Sequence, residues 1–277
     1  MTNAHASAAK LTLCGSISLY PVSLGAAMHL AGYRALGLPF TYVPFRVTDL
    51  GGAITGMRAL GIRGLGVSMP YKQQILPLLD GIDPLAAKIG AVNTVVQEDG
   101  RLLGYNTDCV GAVRAIEEIA PVKGARALVL GAGGAGRAVA HGLADAGAEV
   151  VVTNRSLDKA EALAAEVGGR AAGVEEARNA GRYDVVVNAT SVGMGEIAAE
   201  SPVPEEAIPA GLLVMDIVYK PIETALVRAA TRRGARVIHG GRMLLHQAAR
   251  QFELYTGERA PLDAMDVALR EQIANLG

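Results

Sequence analysis

Tryptophan is absent and aromatic residues make up only 4% of the chain, leaving little from which to build the stacking platforms that hold single-stranded nucleic acid. Net charge is −1, from 26 basic and 27 acidic side chains. Without a clustered basic excess there is no electrostatic footprint for a phosphate backbone, and nucleic acid is not an expected partner. Only two cysteines occur, Cys14 and Cys109, far apart in sequence. They cannot make a disulfide framework, so a reducing, cytoplasmic location is expected. Neither has a visible activating partner, and both read as packing residues rather than nucleophiles. The five histidines (His5, His29, His141, His239 and His246) follow no metal-ligand spacing, and no metal site is expected. Mean hydropathy is +0.28. Even so, no stretch approaches the ~20 apolar residues of a membrane span, and no membrane partner is expected. The first ten residues lack an apolar segment behind a basic start, so they read as a floppy leader rather than a secretory signal.

What is plentiful is glycine, 34 of 277 residues, and apolar side chains, 51% of the total. The glycines have no three-residue period, which excludes a collagen-like rod. A chain this apolar and this nearly neutral does not stay unfolded. Single cores stop growing near ~250–300 residues, so one large domain or two modest ones are expected.

Short apolar runs alternate with amphipathic helical stretches, the pattern of βαβ units around a mainly parallel sheet and hence of an α/β fold. In the first third, strands are predicted at residues 11–14, 40–45 and 64–69, and helices at 23–36 and 48–60, with Thr48 and Asp49 supplying cap chemistry. The alternating run 92–106, broken at Glu98-Asp99-Gly100, predicts a hairpin. Further strands are predicted at 127–130, 150–153, 184–188 and 213–217, helices at 138–146 and about 156–167, and a helical tail from Met243. Domain boundaries are expected near Asn106 and Gly240.

Gly131-Ala-Gly-Gly-Ala-Gly136 satisfies G-x-G-x-x-G directly after a predicted strand and before a predicted helix. The first glycine permits the tight turn, the second lets backbone approach a pyrophosphate, and the third lets helix pack closely on strand. The helix terminus then offers N–H groups and partial positive charge to the phosphates. A glycine-rich turn can also be merely structural; the strand–turn–helix setting favours a dinucleotide. Gly131, Ala132, Gly133, Gly134, Ala135 and Gly136 are therefore candidate cofactor-binding residues. The next strand ends Val152-Thr153-Asn154-Arg155-Ser156, where an NAD enzyme carries Asp or Glu for the ribose 2′-hydroxyl. No carboxylate stands there, and an arginine fork suits a phosphate dianion, so NADP(H) is the expected cofactor, met by Asn154, Arg155 and Ser156. The plainer reading puts Arg155 on a solvated face. Thr190 and Ser191 follow another strand end, where switch-point loops meet cofactors; Ile217 and Gly240 complete the candidate set.

Two polar clusters stand out from the apolar background: Ser68-Met-Pro-Tyr-Lys72 and Gly104-Tyr-Asn-Thr-Asp108. From spacing alone, Lys72 is a surface lysine or a catalytic one, and Asp108 a helix cap or a proton-transfer group. With Ala91-Val-Asn-Thr94, the glycine loop, Asn154-Arg155-Ser156, Asn188-Ala-Thr-Ser191, Met243-Leu-Leu-His-Gln247 and Gln251-Phe-Glu-Leu-Tyr-Thr-Gly257, these segments stand in the order seen in shikimate dehydrogenases. The chain resembles that family from about Leu11 to its end. The resemblance implies NADPH-dependent, reversible reduction of 3-dehydroshikimate to shikimate, a step of aromatic amino-acid biosynthesis. It also implies Lys72 and Asp108 as the catalytic pair, with Asn93, Tyr219 and Gln247 around the substrate.

The substrate side departs from the family pattern. Typical members carry His-Ser-x-Ser-Pro after the first strand, with both serines on the substrate carboxylate. Here Gly15-Ser-Ile-Ser-Leu-Tyr-Pro-Val-Ser-Leu-Gly25 aligns Pro21 and Ser23 with those serines. Ser16 and Ser18 become substrate candidates alongside Ser23 and Ser68, although S-x-S on one strand face is also plain alternation. Gly66 stands where typical members have asparagine. With Ala59-Leu-Gly-Ile-Arg-Gly64 and Val67-Ser-Met-Pro70, the pattern is most similar to the shikimate dehydrogenase-like and quinate/shikimate branches. Quinate or an aminoshikimate is thus an alternative substrate. A different class of function is an NADP(H)-binding redox sensor without turnover, against which retention of Lys72 and Asp108 argues. The expected architecture is two-lobed: a substrate-binding, catalytic α/β domain (1–105), a Rossmann NADP-binding domain (106–240), and C-terminal helices (241–277) returning to the first lobe. The expected partner is a small molecule, and the expected state a monomer or homodimer. Tyr20 is read as a substrate contact or a packing residue, His246 as a helix-face or pocket residue, and Asp216 as a residue that orients loops.

Overall fold

The computed structural model describes residues 11–275, so the leader expected at 1–10 lies outside the described residues. The chain falls into two compact units, one of residues 11–86, 90–105 and 248–275, the other of 87–89 and 106–247. The later break lies inside a helix, Gly240–Thr256, so residues 241–247 group with the second unit rather than with the C-terminal segment in which they were expected.

The first unit is built on a six-stranded sheet. Strands β1 (Thr12–Ser18), β2 (Phe40–Arg46) and β3 (Gly64–Val67) are parallel, with β1 in the middle. β1 extends well past its predicted end because Gly15 to Ser18 pair in register with Val43 to Arg46, which small polar side chains do not prevent. β5 (Thr94–Glu98) lies antiparallel to β3 and forms the expected hairpin with β6 (Arg101–Tyr105), and β4 (Gly81–Ile82) pairs parallel to β6. Asp99 and Gly100 have φ of 48° and 78°. Two positive φ values in a two-residue loop give the turn whose twist matches a hairpin, and Asp-Gly is the sequence that tolerates it. Along β3 the side chains alternate. Leu65 and Val67 join Ile17, Met57, Ile75, Val95 and Leu102 in one core, while Gly64 lies against the Tyr255 ring on the opposite face. Helices α1 (Leu24–Ala35), α2 (Leu50–Leu60) and α10 (Leu262–Ala274) complete the unit with the second half of α9 (Gly240–Thr256). Of the two cap candidates, Asp49 caps α2, accepting from Gly52 N at 2.9 Å. Two short helices, α3 (Tyr71–Gln74) and α4 (Pro84–Ile89), were not predicted, being too brief to show a helical period.

The second unit is a wholly parallel sheet of β7 (Arg126–Leu130), β8 (Glu149–Thr153), β9 (Arg170–Ala172), β10 (Val185–Asn188), β11 (Leu213–Asp216) and β12 (Arg236–Ile238). Its order is β12-β11-β10-β7-β8-β9. The chain steps outward from β7 to β9, then returns to the other side of β7 and steps outward again. That is the doubly wound dinucleotide-binding order, with its reversal between β7 and β10. β10 and β11 are buried along their whole length, as parallel strands covered by helices on both faces must be. Those helices are α5 (Thr107–Glu117), α6 (Gly134–Asp145), α7 (Leu157–Val167), α8 (Ala225–Arg232) and the first half of α9. α6 starts at Gly134 rather than at the predicted 138, so half of the glycine motif is helix.

Candidate active site

The reversal between β7 and β10 places two loops side by side at the carboxyl ends of these strands. Gly131 leaves β7 with φ +106°, and a Cβ there would stand 3.0 Å from Ala189 O and from Thr190 Cγ2. A Cβ on Gly136 would lie 2.0 Å from Gly131 O, which forces glycine at the third motif position. Gly133 and Gly134, by contrast, face open space, with nothing within 4 Å of where a Cβ would stand. Backbone N–H groups at the α6 terminus are therefore approachable by an anion. Ala132 and Ala135 complete the turn. Asn154, at the end of β8, reaches the glycine loop: its Oδ1 accepts from Ala132 N at 3.2 Å and its Nδ2 donates to Ser156 O at 3.1 Å. Its amide thus braces the loop. Ser156 begins α7 without a side-chain cap bond. Arg155 is exposed and makes no ion pair among the described residues.

The opposite wall is a buried polar knot. Asn188 is fully buried; its Nδ2 donates to Val192 O and Asp216 Oδ1, each at 3.0 Å, and its Oδ1 accepts from the N–H and hydroxyl of Thr190. Asp216 also accepts from Thr224 Oγ1 at 2.6 Å and Val218 N at 3.1 Å. Burial pushes the Asp216 carboxyl above its ordinary range, and these donors oppose that shift. The expectation that Asp216 orients loops matches these contacts. Thr190 is half-buried and tied to Asn188, whereas Ser191 is exposed. Ile217 N bonds Asn188 O at 3.1 Å, and a Cβ on Gly240 would meet Ile217 O at 2.4 Å. The structure thus brings Ile217 and Gly240 together as backbone packing just past the carboxyl ends of β11 and β12.

In the same unit, Asp108 lies in the first turn of α5. It is not the cap: Asn106 is, accepting from Asp108 N at 3.1 Å. The Asp108 carboxylate therefore sits where the helix dipole favours negative charge. Its neighbour Thr107 donates to Gln247 Oε1 at 3.4 Å, and Gln247 Nε2 donates to Leu244 O. Tyr219 is 36% exposed just beyond β11. His246 is buried against Glu118, at 2.8 Å, and Glu118 also pairs with Arg242. His246 is thus a buried residue in hydrogen-bond contact with Glu118.

In the first unit, Lys72 stands half-buried on α3 and its carbonyl accepts from Val92 N at 2.8 Å. Asn93 follows, 2% exposed, its N–H donating to Tyr105 O and its carbonyl accepting from Val67 N at 2.7 Å. Ser68 is exposed at the end of β3, with its N–H on Ile17 O. Ser18 is buried and Ser16 half-buried on the same face of β1. Burial makes ionisation of the Tyr42 hydroxyl harder, and Ser16 beside it opposes that shift. Ser23 is exposed and donates to Gln272 Oε1 at 3.3 Å. Tyr20, 78% exposed, is not a packing residue.

Sequence reasoning missed what surrounds Gly66. A Cβ there would stand 3.1 Å from Tyr42 Oη, 3.4 Å from Gln251 Nε2 and 3.5 Å from Ser16 Cβ. Tyr42 in turn stacks on His29, centroids 4.5 Å apart and planes 6° apart. Groups from β1, β2 and α9 thus close around the place of a Cβ at Gly66, which no local spacing announces. Cys14 and Cys109 are free and buried. Burial holds the Cys14 thiol up at about 11. Among the described residues no group of three or more His, Cys, Asp or Glu could hold a metal, and no helix is long and apolar enough to cross a membrane.

Residues 20–95 match the shikimate dehydrogenase substrate binding domain, 114–225 match shikimate / quinate 5-dehydrogenase, and 240–270 match the shikimate 5′-dehydrogenase C-terminal domain. A shikimate dehydrogenase (NADP(+)) of Haloarcula marismortui is 48% identical over 255 residues, covering 91% of this chain and 95% of its own. The chain belongs to the shikimate dehydrogenase family. The shikimate dehydrogenase (NADP(+)) of Moorella thermoacetica is 45% identical over 262 residues, 90% of this chain and 89% of its own. Among solved structures, shikimate 5-dehydrogenase from Thermus thermophilus in complex with NADP(H) and shikimate superimposes with a TM-score of 0.85. It is 41% identical, covering 95% of this chain and 99% of its own. The matched shikimate dehydrogenase segments contain Lys72, Asn93, the glycine loop, Arg155, Tyr219, Gln247 and Gln251; Ser16, Ser18 and Asp108 fall outside them.

Proposed function

We propose that this member of the shikimate dehydrogenase family is an NADP(H)-dependent oxidoreductase interconverting 3-dehydroshikimate and shikimate. The observation that carries the reading is the crevice at the β7/β10 reversal. There an open glycine loop and a helix terminus lie beside a strand end that offers arginine and no carboxylate. The names of the relatives support the substrate. Gly133, Gly134 and the α6 terminus would hold the pyrophosphate and Arg155 the 2′-phosphate, and bound nicotinamide would supply the hydride.

Hydride arrival at the substrate carbonyl carbon leaves an alkoxide that must be stabilised and protonated. The Lys72 ammonium is suited to meet the developing negative charge with a charge-assisted hydrogen bond. The Asp108 carboxylate is suited to relay the proton, giving it in one direction and taking it in the other. Asn93, Tyr219, Gln247 and the serines Ser16, Ser18, Ser23 and Ser68 are the proposed substrate contacts. In this reading 1–105 is the substrate-binding part, 106–240 the NADP-binding part and 241–277 a C-terminal helical part. The enzyme works as a monomer or homodimer in the cytoplasm, a location supported by its two buried free thiols. The test is nicotinamide absorbance with NADP⁺ against shikimate, quinate and aminoshikimate. Reduction with shikimate is expected, and no reduction with any of them would leave an NADP(H) sensor.

A further inference from the structure

One group of buried polar side chains in the first unit lies behind the candidate substrate residues rather than among them. Gln251, on α9, is 6% exposed and uses both ends of its amide. Its Nε2 donates to Thr94 Oγ1 at 3.0 Å and to Asn93 O at 3.3 Å. Its Oε1 lies 3.4 Å from His29 Nε2. His29 is fully buried, and burial lowers its pKa to about 4. The ring is therefore neutral near pH 7. The Asn93 carbonyl can only accept, so the Gln251 amide points its nitrogen toward β5 and its oxygen toward His29, which places the one N–H of the ring on Nε2.

The consequence passes through Thr94, itself fully buried. A hydroxyl has one proton to give. Thr94 Oγ1 accepts from the Gln251 N–H, and the hydroxyl donates to Asn93 Oδ1, 2.8 Å away. The Asn93 backbone is held on both sides, its N–H on Tyr105 O and its carbonyl under Val67 N and Gln251 Nε2. A flip of the Asn93 amide would set an N–H against the Thr94 hydroxyl and lose the bond from Thr94 Oγ1 to Asn93 Oδ1. Gly66 gives the network room, since a Cβ there would press on Gln251 Nε2 and Tyr42 Oη.

We propose that Gln251, acting through Thr94, is a positioning residue that locks the Asn93 amide with its oxygen inward and its N–H donors turned to the substrate. Asn93 then reads a hydroxyl or carbonyl oxygen as an acceptor. The proposal rests on Asn93 being a substrate contact, and the experiment separates the two. Steady-state oxidation of shikimate with NADP⁺ is measured for Gln251→Leu, Thr94→Val, Thr94→Ser, Asn93→Ala and the double variant Asn93→Ala/Gln251→Leu. Gln251→Leu and Thr94→Val are each expected to raise KM for shikimate about 5- to 10-fold, the scale of one hydrogen bond, with kcat moving less than about threefold and the Kd of NADP⁺ unchanged. Thr94→Ser keeps the hydroxyl and is expected to restore KM, which a loss of packing would not do. In the double variant, Gln251→Leu is expected to add nothing to the loss from Asn93→Ala. If Gln251→Leu does not fold, the Thr94 pair carries the test. A raised KM in Asn93→Ala with wild-type KM in Gln251→Leu and Thr94→Val overturns the positioning role alone. So does a Thr94→Ser variant as impaired as Thr94→Val, or full additivity in the double variant. A wild-type KM in Asn93→Ala overturns the substrate contact and the positioning role together.

Discussion

Arg155→Ala tests the choice of cofactor. The side chain stands exposed at the end of β8, paired with no carboxylate among the described residues, and the neighbouring Thr153, Asn154 and Ser156 carry no charge. Unit charges 4 Å apart attract by about 1 kcal/mol in water and about 4 kcal/mol at an effective dielectric of about 20. A phosphate monoester carries about −1.5 to −2 charges, but the exposure of Arg155 keeps the pair near the aqueous limit. A loss of about 2 kcal/mol follows, or about 30-fold in Kd. NAD⁺ lacks the 2′-phosphate and is expected to bind the variant within about twofold of the wild type. The assay is titration calorimetry with both dinucleotides at two salt concentrations, because an exposed ion pair weakens as salt is added. Equal weakening for NADP⁺ and NAD⁺, or none for either, would refute the assignment and return Arg155 to the solvated surface.

Lys72→Ala and Asp108→Asn are each expected to lower kcat by about 10²- to 10⁴-fold while the Kd of NADP⁺ holds; near-normal turnover in both sinks the proposed roles. Gly136→Ala drives a methyl onto Gly131 O, so a loss of about 1–3 kcal/mol or more and weak NADP⁺ binding are expected. An unchanged Tm and Kd would count against the close packing. His29 resists protonation in the fold down to about pH 4, whereas an unfolded histidine protonates near 6.5. Its contribution to stability is therefore complete above about pH 6.5 and declines by about 3 kcal/mol as pH falls toward 4. Denaturant titrations across that range should show a flatter pH dependence for His29→Gln; an identical slope would remove His29 as the cause. Gly66→Asn, which crowds Tyr42 and Gln251, is expected to raise KM for shikimate, and an unaltered KM would show that the pocket yields.

Legibility in the sequence followed the range of the interaction. The glycine loop and the Asp99-Gly100 turn were readable because their backbone demands fall on the residues that meet them. The α/β alternation was readable from periodicity, and the strand order was not, because β7 beside β10 is decided by pairing between distant segments. The end of β1 was missed because Ser16 and Ser18 become strand only by pairing with β2. Asp108 looked like a cap from its position, yet Asn106 took that role and left the carboxylate in the first turn. Gln251, His29 and Tyr42 were illegible for a different reason. Each lies on an element whose local pattern says only that it is buried, and their meeting exists only in three dimensions.

The junction of β7 with β10 also orders events in time. It pairs strands whose partners are 58 residues apart, as Arg126 and Asp184 are. Closing so long a loop costs more chain entropy than the closures within either half of the sheet, so this pairing is expected to follow them. Pulse-labelled hydrogen exchange that protects β7 and β10 first would refute that order. The triplets β7-β8-β9 and β10-β11-β12 each have shorter-range partners and can assemble first. The anion-binding crevice does not exist until they join. A dinucleotide therefore gains its foothold only on chains that have completed the sheet, and by mass action it draws the population toward that completed state.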